Sequence, residues 1–546
     1  MKQKRFLSSI LAVGLSISLC GCDSDLWQEA LEEIADTFNF ELSGDEEPAV
    51  DVEHYDLDIL EEKINEMQAV WTASGHEAEL SEDIQFLLDE FDKVCEKYLQ
   101  LEMEYYADWN NEEKKAIYDA AYEDYFIVDD MVSWAFTNAY HRSSYPDMFH
   151  DYSSEDNEAY YMAYSLNKIK AAAKRSSHDV GDTLDDYFDI AYKSDHDDAA
   201  SVNESNLDCA QLYLDTLKDY DLSEYLYDFY RRDYDAEEVS AMYETIVENL
   251  VPLYQNCYDA MLFDSSIEKL ESEDLVIDEN PFQTVHQYAQ NISPSVKESA
   301  DKLWNESLYL LGSGEDSYEG GYTVGFPTSQ TAKIYLYIEN DYYDLMSAIH
   351  EFGHFHSDWR DQTPLYCQKN CIDVAEIQSQ GMQLLFTQYY DEMYGENADL
   401  IWNVTIMDML DSVISGFAIG EFEYRVMKDY GSLTAEQVAD MFAEISEECD
   451  LDRELYEISH LYQEPGYYIS YGVSALAALQ IYAKMQESTE EAYAMYDRIS
   501  SVSTQSGECT LCKTLEECGF SDIFEEQTIE NVSPMISNRI AIDEQM

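Results

Sequence analysis

Two histidines four residues apart, His350 and His354, with Glu351 beside the first, can address one ion only if the chain is helical there. That requirement, carried by His350-Glu351-Phe352-Gly353-His354, constrains the 546-residue chain more than any other segment. On an α-helix both imidazoles lie on one face and Glu351 projects beside the position they leave open, the arrangement of a catalytic zinc site. Leu345, Ile349 and Phe352 recur at helical spacing, which predicts a helix packed on a core.

A third protein donor is required. Trp359 to Cys371, with Pro364 and two cysteines, reads as a connection, and helical periodicity resumes from Ile372 to Phe386. There Glu376, Ser379, Gln380 and Gln383 share a polar stripe, while Val374, Ile377, Leu384 and Leu385 supply apolar positions. Glu376 follows His354 by 22 residues, a separation that suits a helix-loop-helix hairpin returning a carboxylate to the ion. Two histidines and a glutamate with one open position make a catalytic set, whereas structural zinc sites are closed.

With these residues in place, the chain resembles the oligoendopeptidase F and thimet oligopeptidase family of zinc metallopeptidases. His350, Glu351, Gly353 and His354 match the family's H-E-[LF]-G-H, and Ala375-Glu376-Ile377-Gln378-Ser379 matches its third-ligand segment. Upstream, Gly320-Gly321-Tyr322 and then Lys333-Ile334-Tyr335-Leu336-Tyr337-Ile338 are similar to its glycine-containing loop and the strand beside its cleft. An extended peptide can pair with such a strand through its backbone, and Tyr322 and Tyr335 are the substrate-binding candidates there. His460-Leu461-Tyr462-Gln463-Glu464-Pro465-Gly466-Tyr467-Tyr468-Ile469-Ser470-Tyr471 resembles the family's histidine and tyrosine-rich segment facing the scissile carbonyl. It holds four tyrosines in twelve residues, where 46 in 546 predict about one. The resemblance assigns catalytic donation to His460 and one tyrosine, Tyr468 or Tyr471, and substrate binding to Tyr462 and Tyr467.

What the resemblance implies is a mainly α fold, a large two-lobed helical metallopeptidase with a deep substrate channel and a small β-sheet beside the zinc helix. It implies a monomer with one zinc ion per chain on His350, His354 and Glu376, hydrolysing short unfolded peptides by zinc-activated water with Glu351 as general base. Three departures stand against it. Gln383 replaces a family glutamate, and Ser357 stands where a histidine is common, its neighbour His356 lying about 100° further round the helix. The His460–Tyr471 stretch also carries about one extra residue. They keep open a second reading, a lipid-anchored peptide-binding protein with a zinc site and little or no turnover.

Lys2, Lys4 and Arg5 precede an apolar run from Phe6 to Leu19 that is too short to span a membrane and ends in Leu19-Cys20-Gly21-Cys22. This resembles a bacterial lipoprotein leader, with residues 1–21 removed and Cys22 carrying lipid, and it predicts a chain anchored to the cell membrane and facing outside the cytoplasm. Residues 22–52 read as an acidic tether with a short helix at Leu26 to Phe38, residues 53–200 as an amino-terminal helical lobe and residues 201–546 as the catalytic region. Helical periodicity marks Leu57 to Ala73, Leu80 to Tyr106, Glu112 to Asn138, Leu207 to Tyr220 and Glu237 to Leu262, and strand-like alternation is confined to the region before the zinc helix.

With 115 acidic residues against 30 lysines and arginines, a net charge of −85 excludes nucleic acid and anionic headgroups as partners. Nine cysteines remain once Cys20 is removed and Cys22 is lipidated. Outside the membrane disulfides are permitted, and Cys367 with Cys371, or pairs among Cys509, Cys512 and Cys518, are expected from proximity in sequence. Metal binding by Cys509 and Cys512 is the competing reading, although no second pair of that spacing exists.

Overall fold

The computed structural model describes residues 52, 54–152, 187, 190, 199–220, 227, 230–263, 270, 275–276, 280–451, 453–463 and 465–543. The leader, Cys22 and the helix expected at Leu26 to Phe38 fall outside them. The chain divides into two compact units, residues 1–105 with 109–185, and residues 106–108 with 186–546.

In the first unit, α1 (Asp58–Trp71), α2 (Glu77–Tyr106) and α3 (Glu112–Arg142) follow their expected periodicities. Helix α3 starts where Asn111 offers its side-chain oxygen to the N–H groups of Glu113 and Lys114, which would otherwise lack an intrahelical acceptor. Leu60, Ile64 and Met67 of α1 and Val128, Met131, Val132 and Ala135 of α3 are buried, so one stripe of each helix supplies core.

The second unit begins with α4 (Ala199–Tyr220). The periodicity from Glu237 to Leu262 predicts one helix, but there are two, α5 (Ala236–Asn249) and α6 (Val251–Phe263). Pro252 has no N–H to give to the preceding turn, so it is tolerated only where a helix starts. A capping box between Asp235 and Glu238 opens α5. Helices α7 (Pro281–Ala289) and α8 (Pro294–Glu306) likewise carry proline in their first turns.

All three strands of the described residues lie just ahead of the helix that carries the histidine motif: β1 (Tyr309–Gly312), β2 (Gly321–Phe326) and β3 (Thr331–Tyr337). Their order is β1-β3-β2, with β1 parallel and β2 antiparallel to β3. Since β3 is central, both its edges are used within the sheet, and the strand that presents an edge towards the site is β2. Tyr335 on β3 is fully buried and donates its phenol to the Tyr318 carbonyl at 2.8 Å.

Next come α9 (Tyr343–Asp358), which carries the histidine motif, and α10 (Ile372–Phe386), which carries Glu376. Asp344 closes the turn into α9 by accepting from the N–H groups of Glu339 and Asn340, both at 2.9 Å. Helix α10 is central: nearly every residue from Asp373 to Phe386 is buried, and it packs on α9 and on α13 (Ile469–Glu487). Between them lie α11 (Ala398–Asp429) and α12 (Ala435–Cys449); α14 (Thr489–Ile499), α15 (Leu511–Cys518) and α16 (Glu526–Asp543) complete the unit. Within Ile372–Asp429 one window is apolar enough to cross a membrane by length and composition, but 78% of it is buried inside the protein, as core helices are.

Two close approaches lock these helices. A Cβ on Gly353 would lie 2.5 Å from Ser379 Cα and 2.8 Å from the Gln378 carbonyl oxygen, so α9 and α10 touch backbone to backbone at the centre of the histidine motif. A Cβ on Gly416 would lie 2.4 Å from the Gly472 nitrogen, and the same contact joins α11 to α13. Gly353→Ala is expected to cost about 1–3 kcal/mol by forcing α9 off α10. Gly431→Ala, which meets nothing within 4 Å, serves as control. Thermal midpoints of the two variants should separate accordingly, and equal midpoints would show that α9 can shift freely.

Candidate active site

His350 and His354 sit one turn apart on α9, and the hairpin returns Glu376 on α10 to face both. His350 Nε2 is 3.4 Å from Glu376 Oε2, and His354 Nε2 is 3.7 Å from Glu376 Oε1. Ligand atoms of the three residues all lie within 4.8 Å of one another, and this is the group of that kind among the described residues. A tetrahedral ion with bonds of about 2.0–2.1 Å spaces its donors about 3.3 Å apart, so the set fits a zinc-sized cation with little adjustment. Cys509 and Cys512 join no such group among the described residues.

His350 and Glu376 are held from behind. Gln383, two turns along α10 from Glu376, places Oε1 3.0 Å from His350 Nδ1, which makes Nδ1 the protonated nitrogen and leaves the Nε2 lone pair for the ion. The Ser379 hydroxyl lies 3.0 Å from Glu376 Oε2 and steadies that carboxylate. Burial lowers the pKa of His354, favouring the neutral imidazole that a ligand requires. His356 belongs elsewhere. It is buried between Ser299 Oγ at 2.8 Å and Ser500 Oγ at 3.2 Å, and burial, with Arg360 nearby, pushes its pKa down to about 3.

Glu351 lies next to the ligands and points at β2. Thr323 Oγ1 is 2.7 Å from Glu351 Oε2, and a Cβ on Gly321 would come within 3.3 Å of Glu351 Oε1. The edge strand therefore orients the carboxylate and leaves it room. Sequence reasoning missed Thr323; the signal was its place two residues from the Gly320-Gly321 pair, on the strand that follows.

These groups line a cleft of about 570 Å³. One wall is Gly321, Tyr322 and Thr323; the floor is His350, Glu351, His354 and Glu376; the other walls include Asp358, Gln380, Gln383, Asp408, Ser412, Tyr471 and Gln505. No lysine or arginine is among the lining residues. Burial, reinforced by Asp361 and Glu351, raises the Asp358 pKa to about 8, and burial with Asp411 raises that of Asp408 to about 7.

Of the tyrosine and histidine candidates, Tyr322 and Tyr471 reach the cleft. His460 stands behind Tyr471, with Nε2 3.5 Å from its phenol oxygen and its ring stacked on Tyr467 at 5.4 Å. The other assignments need correction. Tyr468 is buried with its phenol oxygen accepting from Arg453, which also binds Asp411 at 2.8 Å, and it is absent from the cleft lining. Tyr462 is core, stacked on Tyr187 at 4.5 Å and donating to the Cys209 carbonyl at 2.9 Å. Tyr335 is buried in the middle strand, and Tyr467 is absent from the cleft lining.

The segment bearing Tyr467 to Tyr471 is tied to the start of α10 by Arg232, a residue no sequence pattern distinguished. Arg232 donates to the Gly466 carbonyl at 2.6 Å and Ser470 Oγ at 2.7 Å, and lies 3.4 Å from Asp373 Oδ2, which also accepts from Tyr234 at 2.9 Å. The Gly466 N–H in turn donates to Glu423 at 2.8 Å.

No protein-family model and no curated protein matches the chain. Solved structures do resemble it. A candidate oligoendopeptidase F has a TM-score of 0.65 at 16% identity, covering 90% of this chain and 98% of that one. PZ peptidase A with an inhibitor reaches 0.63 at 16%, covering 90% and 98%. A candidate oligoendopeptidase F of Bacillus anthracis reaches 0.62 at 15%, covering 91% and 99%. At such identities the likeness shows a shared fold, a helical one with a small sheet, over nearly the whole of each chain.

Gln383→Leu removes the acceptor of His350 and is expected to weaken divalent-cation affinity about 10–100-fold, whereas Gln383→Glu should restore or tighten it. Competition with a chromogenic chelator reads both, and unchanged affinity in the leucine variant would detach Gln383 from the ligand set.

Proposed function

We propose that this chain is a zinc-dependent endopeptidase acting on short unfolded peptides. The observation that carries the reading is the convergence of His350, His354 and Glu376 beside Glu351, in a cleft whose wall is an edge strand. Bound zinc would supply Lewis acidity and a water acidic enough to attack a peptide carbonyl near neutral pH.

The remaining work falls to the chain. Glu351, oriented by Thr323, takes the proton of the attacking water and delivers it to the leaving amine. Tyr471 is the phenol placed to donate to the carbonyl oxygen as charge develops there, with His460 steadying it from behind. Strand β2 offers main-chain groups to an extended substrate, which gives affinity with little dependence on side chains. Similarity in fold to candidate oligoendopeptidases supports the substrate class.

Zinc content and cleavage of a quenched mixed-sequence peptide library test the reading together. The wild type should hold one zinc and cut; Glu351→Gln should keep the zinc and lose at least about 100-fold in kcat, the scale of general-base removal. Thr323→Val, which leaves the carboxylate in place but untethered, should lower kcat about 10-fold with KM little changed. Zinc without cleavage in the wild type would instead support a peptide-binding protein.

We place the enzyme outside the cytoplasm on a lipid anchor at Cys22, a reading that rests on the leader sequence alone. Cys22→Ala should move the protein from the membrane fraction to the soluble one; unchanged fractionation would remove the anchor.

A further inference from the structure

Proximity in sequence pairs Cys371 with Cys367, but the fold turns its sulfur elsewhere. Cys371 is the residue just ahead of α10, and Cys509 stands just ahead of α15. Two main-chain hydrogen bonds join their segments, from the Lys369 N–H to the Gln505 carbonyl at 2.8 Å and from the Cys371 N–H to the Thr504 carbonyl at 2.7 Å. A turn closed by the Cys509 N–H on the Ser506 carbonyl at 3.2 Å then brings Cys509 back. The two thiols come close enough there for each to shift the ionisation of the other, at residue exposures of 7% and 5%. None of the nine cysteines among the described residues is bonded to another.

We propose that Cys371 and Cys509 are a modification site, a dithiol that closes to a disulfide when the chain meets a low-molecular-weight disulfide such as oxidised glutathione. The bond would tether the start of the Glu376 helix to the loop that brings Gln505 to the cleft wall. It depends on neither zinc nor peptidase activity, so it stands or falls apart from the proposed function.

The chemistry follows from the pair's asymmetry. The neighbouring Cys371 thiol lowers the Cys509 pKa, and Thr514 Oγ1 at 3.7 Å from the Cys509 sulfur acts in the same direction. Cys509 therefore supplies the thiolate that attacks the donor disulfide, forming a mixed disulfide and releasing one donor thiol. Cys371 then loses its proton, attacks the Cys509 sulfur and expels the second donor thiol. Two electrons pass from the cysteine pair to the donor, whose two thiols carry away the two protons. Because both sulfurs are buried, reaction proceeds while residues 504–509 are open, during folding or local unfolding.

The rival bonds are defined by the same neighbourhood. Cys518 is close enough to Cys509 to raise its own pKa through that charge, and Cys512 lies three residues from Cys509.

The test is disulfide mapping of the mature chain after equilibration in glutathione redox mixtures, alkylation and digestion. The expected result is a cross-linked peptide pair containing Cys371 and Cys509, lighter than the two reduced peptides by two hydrogens. Oxidation should also raise the thermal midpoint by about 4 °C, as closing a loop of this length does in a chain of this size. Cys371→Ser and Cys509→Ser should each abolish both effects, and Cys518→Ser should leave both intact. Linkage of Cys509 to Cys512 or Cys518, linkage of Cys371 to Cys367, or full alkylation of both thiols in the most oxidising mixture would each overturn the proposal.

Discussion

Everything in the unit that carries the histidine motif depends on how near α9 comes to α10. Two helices bearing ordinary side chains at their contact stay about 8–10 Å apart. Gly353 removes the side chain at the contact, and the atom it faces is the Cα of Ser379. The helices close until no Cβ would fit between them, and His350, His354 and Glu376 fall within donor spacing. The glycine in the histidine motif is thus a packing requirement: it sets the distance, while the histidines exploit it. Ser379 serves the same end twice, small at the backbone and hydrogen-bonded to Glu376.

A close-packed floor would count for little if the walls could drift. Arg232 answers this with a fully buried side chain whose donors are shared among Asp373, Gly466 and Ser470. A buried ion pair is weak evidence of net stability, since desolvation offsets most of its attraction, yet breaking one leaves an uncompensated charge and costs about 3–5 kcal/mol. That asymmetry makes the network a positional device: the unit folds with all of its members satisfied or with a large penalty. Asp373 is three residues before Glu376 and Ser470 one residue before Tyr471, so the device spans the two sides of the cleft.

Much of this was legible because it is local. Helix periodicity, the i, i+4 histidines and a carboxylate at hairpin distance are short-range patterns, and they give the ligand group and the fold class. Strand order is not local. Tyr335 and Tyr322 are register partners, equally plausible as residues beside a cleft, but β3 is the middle strand and β2 the edge, so Tyr335 is core and Tyr322 reaches the site. In the tyrosine-rich stretch the same difficulty recurs: Tyr462, Tyr468 and Tyr471 differ by which neighbour meets each phenol, Cys209, Arg453 or His460. Arg232 has no sequence signal at all, because its partners lie 141 to 238 residues away. Cys371 and Cys509 are likewise remote in sequence and adjacent in space.

The charge of the cleft bears on which bond of a peptide the proposed enzyme would address. Four carboxylates, Glu351, Asp358, Glu376 and Asp408, line it, and no lysine or arginine does. A bound zinc ion offsets two of those charges, leaving the lining negative or, where Asp358 and Asp408 hold protons, near neutral. Neither state offers a partner to the free carboxylate of a peptide's last residue, which an enzyme trimming from that end must bind. Main-chain pairing along β2 asks only for an extended backbone on both sides of the scissile bond. A cleft lined in this way would suit, for the proposed enzyme, substrates whose own charges are neutral or positive.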